Sequence, residues 1–196
     1  GMQMGLRASL LGVKNAEKQV VLEKLGLVET GKYAFDSLPE LACAVTPAGW
    51  VLVMGPEDFA TPERLALLSG PGEAVGLTSS ETVMVNEAHG YLGGRKTWSV
   101  THDAERGRCD LQVEGDPPAQ LTTIRDKLTR QQAEDEEGGD YLFDAAIELV
   151  DSVCGFRWDE ANPAAETVFK VVEVIQPGAA GERQKHRRAL GDALTQ

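Results

Sequence analysis

Gly93-Gly94 stands between two stretches, 83–92 and 95–103, that alternate in polarity. Two consecutive glycines meet the positive φ that a two-residue hairpin turn demands. The pair therefore predicts an antiparallel hairpin and, with it, a local register. A plain two-residue loop pairs Leu92 with Arg95, Tyr91 with Lys96, and so on down both strands. One face then carries Val85, Glu87, His89 and Tyr91 against Lys96, Trp98, Val100 and His102. The other carries Asn86, Ala88 and Gly90 against Thr97, Ser99 and Thr101. Trp98 and Val100 make the first face the expected core face.

That register assembles candidate chemistry. Glu87 is diagonal to His102, roughly 7 Å away between Cα positions. A following strand over 108–114 that pairs Trp98 with Val113 and Val100 with Leu111 places Cys109 beside His102. The line Cys109, His102, Glu87 has the residue types of an activated thiol, with His102 as base and Glu87 orienting it. It is the candidate site for a thiol-dependent hydrolase or transferase. Nothing nearby marks an oxyanion hole, and the competing reading is a packed thiol beside a hydrogen-bonded histidine. His89 and His102 are about 13 Å apart on this ladder, too far to share one metal.

Elsewhere the punctuation is that of short elements. Residues 6–13 read as a strand, followed by a helix with Asn15 as candidate cap and Gly26 as its stop. Pro47-Ala48-Gly49 separates two apolar runs, 41–46 and 50–54, as a hairpin turn does. Thr61-Pro62-Glu63 combines a hydroxyl cap, a proline in the first turn and an acid at the dipole's positive end. Glu57, Asp58 and Glu63 around this start are accounted for by the dipole alone. Residues 74–79 make a further strand, and the hairpin with 108–114 makes a three-stranded antiparallel meander. Asp116-Pro117 opens a helix with the narrow stripe Leu121, Ile124, Leu128. Asp140 is placed to cap another, ended by Gly155, and the β-branched run 167–175 is a strand. This order is not a β-α-β alternation. It predicts an α+β fold: a mainly antiparallel sheet with helices packed largely on one face. Residues 2–176 form the expected single domain, and 177–196 a C-terminal extension.

Charge narrows the function. Nineteen Lys and Arg against 31 Asp and Glu leave a net −12 over 196 residues. That balance argues against nucleic acid and against an anionic membrane surface as partners. No apolar run approaches the roughly 20 residues of a membrane span, and no signal peptide is apparent. Gly1 before Met2 reads as the scar of a cleaved tag. Cys43, Cys109 and Cys154 are odd in number and widely spaced, which suits reduced, largely buried thiols in the cytoplasm. No phosphate-binding glycine loop, nucleophile elbow or zinc motif occurs, so no cofactor and no metal is expected.

Two surfaces read as partner-binding. One is the acidic run at the end of the 120s helix, with Asp135, Glu136 and Glu137, expected to be frayed and solvated. The other is the aromatic loop Phe156, Arg157, Trp158, whose competing reading is that Trp158 folds back over the core edge. The basic cluster Arg183, Lys185, Arg187, Arg188 is expected to contact acids such as Asp135 or Glu136, in its own chain or across a homodimer. The function expected is a non-enzymatic binding or regulatory protein of the cytoplasm. Antitoxin- or immunity-like neutralisers of a basic protein partner belong to this class.

Overall fold

The computed structural model describes residues 7–34, 41–158 and 167–176. These build one nine-stranded, wholly antiparallel sheet: β1 (Arg7–Lys14), β2 (Leu27–Ala34), β3 (Ala42–Val45), β4 (Trp50–Gly55), β5 (Glu73–Ser80), β6 (Val85–Leu92), β7 (Arg95–Asp103), β8 (Gln112–Gly115) and β9 (Phe169–Val174). The helices are α1 (Lys18–Leu25), α2 (Pro62–Ser69), α3 (Gln120–Glu134) and α4 (Ala145–Cys154). The fold is α+β, as the order of elements predicts.

Across the sheet the strands run β2-β9-β3-β4-β1-β5-β6-β7-β8. One half is the expected meander, β6 to β8, with β5 added at its inner edge. The other is non-local: the last strand, β9, inserts between β2 and β3 and bonds to both. β1 lies at the centre, paired with β4 and β5 along nearly its whole length.

The helices do not gather on one face. α3 and α4 cover one side, where Leu121, Ile124, Leu128, Ile147 and Val150 pack on Leu10, Leu52, Leu77, Val100 and Trp98. α1 and α2 cover the other, where Val21, Leu22, Leu65 and Leu68 pack on Leu11, Val13, Val51, Val53 and Ala74. The central strands explain why. β1 and β4 are apolar at consecutive positions, so both of their faces need cover. Glycines set the close approaches: Leu65 of α2 lies over Gly76, and Cys154 of α4 lies over Gly12.

Local chemistry fixes the element ends. Thr61 Oγ1 accepts from the amide of Arg64, the expected cap. Gly26 and Gly155 end α1 and α4 in the left-handed conformation. Asn15 caps nothing. It sits at φ 51, and its amide donates to the Gly49 carbonyl across the strand ends. Two strands differ from expectation. β8 has only four residues, so Cys109 precedes it in a loop. β7 carries a bulge one step from the hairpin turn, described next. Residues 177–196, and with them the expected tail contacts, lie outside the described residues.

Candidate functional site

The Gly93-Gly94 turn forms as expected, with φ of 58° and 83°. Leu92 pairs with Arg95 and Tyr91 with Lys96, but Gly90 then pairs with Trp98. One residue is bulged out, and a one-residue slip turns every later side chain of one strand relative to the other. The cause is steric. A Cβ at position 90 would lie 1.8 Å from Trp98 Nε1, so the indole lies across the bare glycine backbone. The slip also sets Val100 opposite Ala88 and His102 opposite Asn86, all beneath the α3–α4 layer.

Glu87 and His102 therefore lie on opposite faces of the sheet. The meander shifts as well: Val100 pairs with Val113 and Trp98 with Gly115. The line Cys109, His102, Glu87 is not assembled. Cys109 is exposed, and its Sγ accepts from Gln132 Nε2 at 3.4 Å. His102 is completely buried and both its ring nitrogens are engaged. Nδ1 meets the Asp110 carbonyl, and Nε2 meets Asp140 Oδ2 at 2.8 Å. The edge of Phe143 closes the remaining side, 6.3 Å between ring centroids. A ring so occupied has no nitrogen left to take a proton from a thiol.

The acidic run is folded, not frayed. Asp135 accepts from the amides of Glu137 and Gly139 and from the Tyr141 hydroxyl. Those bonds, the Glu137 amide first, hold its carboxyl below the usual range, and Asp135 in turn raises the Tyr141 phenol. Asp135 thus organises its own loop, while Glu136 and Glu137 remain exposed. Gln132 ties this loop inward: its Oε1 accepts from the Tyr141 amide, and its Nε2 donates to the Arg108 carbonyl. The aromatic loop also turns inward. Phe156 packs on Phe169 at 5.1 Å, and Trp158 leans on the α3–α4 core. Arg157 pairs with Glu148 at 3.1 Å and Asp144 at 3.7 Å.

Asp140 and Gln132 are the residues that sequence reasoning missed. Asp140 was expected only as a cap, yet a 3-10 turn, Tyr141–Asp144, intervenes before α4. Gln132 left a readable signal. It continues the helical stripe Leu121, Ile124, Leu128, and a polar residue at a core position needs buried partners.

The face opposite His102 is different in kind. The apolar cluster under α1 and α2 reaches Tyr91 and stops. Beyond it the same face of β6 to β8 carries Glu87, His89, Ser99, Thr101, Gln112 and Glu114. Among the described residues α2 meets this half at the Gly93-Gly94 turn, where Ser69 Oγ accepts from the Gly94 amide. This half borders an open cleft of about 800 Å³ beside the start of α2, lined by Arg7, Glu57, Asp58, Thr61, Thr78 and Glu87. Arg7 pairs with Glu57 at 2.9 Å, and His89 Nε2 stands 3.7 Å from Glu87. The His89 contact, opposed by burial and helped by Lys96, holds the Glu87 carboxyl below its usual range. No group of three or more metal-ligating side chains occurs among the described residues.

Compared with protein-family models, curated proteins and solved structures, the chain matches none. The reading of function therefore rests on geometry.

Proposed function

We propose that the protein is a non-enzymatic binding module that receives a basic segment of a protein partner. The observation that carries this reading is the open cleft lined by Glu57, Asp58 and Glu87, which runs into the polar half of the sheet at Glu87. A net charge of −12 favours encounter with a cationic partner and raises its association rate. Cleft and sheet face together offer an extended seat for a chain segment with Arg or Lys side chains. Three free cysteines support action in a reducing compartment, and the cytoplasm is the proposed location. The inward packing of Phe156 and Trp158 argues for this surface over the aromatic loop as the recognition site.

The test is a titration of isotope-labelled protein with a short oligo-arginine peptide at low salt. Amide shifts confined to Arg7, Glu57, Asp58, Thr78 and Glu87 support the reading. Loss of those shifts in Glu57→Lys/Glu87→Lys would strengthen it. Shifts spread evenly over every exposed acid, Glu136 and Glu137 included, would reduce the effect to unspecific attraction and end the proposal.

A further inference from the structure

We propose that His102, Asp140 and the Asp110 carbonyl form a proton-operated clasp. It fastens the loops 107–111 and 135–141 to β7 and opens when one proton is withdrawn. This goes beyond the binding reading and does not depend on it, because the clasp lies on the opposite face of the sheet from the acidic cleft.

The argument is a hydrogen count. A backbone carbonyl only accepts, so Nδ1 must carry a hydrogen to bond Asp110. Across the ring, Nε2 stands 2.8 Å from Asp140 Oδ2. An ionised carboxylate only accepts and an unprotonated ring nitrogen only accepts, so this contact needs a second hydrogen. The closed clasp therefore holds two. Removing one leaves a lone pair facing a carboxylate or a carbonyl at contact distance. His102 has no exposed surface through which water could make good the loss.

The surroundings sharpen the dependence. From the 104–111 segment, the second carboxylate near the ring is Asp110, whose Oδ2 is buried without a hydrogen-bond donor and 3.6 Å from Arg106 Nε. From the 135–144 segment come Asp140, whose Oδ1 is likewise buried without a donor, and Asp135 with Tyr141. β6 contributes the neutral Asn86, whose Nδ2 donates to the Phe143 carbonyl at 2.8 Å. α3 contributes the neutral Gln132. Arg106 and Arg108 are exposed. On β7 itself, Asp103 faces away and caps the Glu105 amide. The two atoms that face the ring nitrogens are the Asp110 carbonyl and an Asp140 carboxyl oxygen, so both contacts hold only while the pair keeps two hydrogens.

Two readouts on the full chain test this. Ring-nitrogen shifts of labelled His102, read with the carboxyl-carbon shift of Asp140, should show two hydrogens on the pair while both loops are protected. As pH rises, a single step in those shifts should coincide with loss of amide-exchange protection at 107–111 and 135–141, after correction for the intrinsic pH dependence of exchange. In Asp140→Asn the side-chain amide supplies the missing hydrogen to Nε2, so a neutral ring is satisfied. That variant should keep both loops protected through the same pH range. An unprotonated ring nitrogen beside an ionised Asp140, with both loops still protected, overturns the clasp. So does loop protection that ignores that step, or an unchanged alkaline opening in Asp140→Asn.

Discussion

At the scale of single residues, the space under Trp98 decides more than any charge. Gly90 is irreplaceable by the distance that a Cβ there would meet, 1.8 Å to the indole nitrogen. Gly90→Ala must push the ring out of the core or undo the bulge. We expect a loss of about 1–3 kcal/mol, the usual range for overpacking. Gly72→Ala is the control, since nothing lies within 4 Å of its Cβ position. It should change stability by less than about 0.5 kcal/mol. Urea denaturation of both variants measures the difference. The thiols offer a second residue-scale check. Burial, ahead of the neighbouring Glu29, pushes Cys43 up to about 11, and burial raises Cys154 further still. Only Cys109 is exposed. A thiol reagent at neutral pH should label one cysteine in the native protein and three after unfolding.

At the scale of elements, the loop that follows α3 is held by one carboxylate. Asp135 binds three donors, and its folded-state value lies below the ordinary one. Its contribution is therefore complete above the unfolded value, near pH 4, and is lost as pH falls through the lower folded value. Tyr141 is the reporter, because Asp135 raises its phenol. Asp135→Ala should return the Tyr141 titration, followed by ultraviolet absorbance, toward the ordinary tyrosine value of about 10. An unchanged titration would mean that the loop keeps its shape without this acceptor. The elements themselves were largely legible in the sequence. Thr61-Pro62, Pro47-Ala48-Gly49, Gly93-Gly94, Gly26 and Gly155 mark real turns and helix ends, because those signals act through local backbone chemistry. The candidate site was not legible, because it depended on register. Tyr91 and Lys96 pair as the turn dictates, but one step later the bulk of Trp98 against the bare Gly90 overrides the plain ladder. Two-sided burial was equally hidden, since an apolar run such as 50–54 does not state which helices will cover which side. Asp140 lies 38 residues from His102, and Gln132 lies 24 and 23 residues from Arg108 and Cys109, beyond any local pattern.

At the scale of the whole molecule, the two apolar layers share their central strands. Leu10 and Leu52 point to the α3–α4 layer, while their neighbours Leu11, Val51 and Val53 point to the α1–α2 layer. Losing one layer bares one face of β1 and β4, and burial of such side chains contributes about 1.5–3 kcal/mol each. The sheet resists division as well, because β9 is held between β2 and β3 from the far end of the chain. We therefore expect the layers to unfold together. The chain carries its own probes: Trp50 and Trp98 are buried in one layer with Trp158 packed against it, and Cys43 is buried in the other. Tryptophan fluorescence and pulsed labelling of Cys43 along a urea gradient should give coincident midpoints. The two probes sit on opposite faces of the same sheet, so coincidence would show that the sheet transmits loss of packing from one face to the other. Labelling of Cys43 at lower urea, with fluorescence still native, would instead show that α1 and α2 detach while the α3–α4 layer holds.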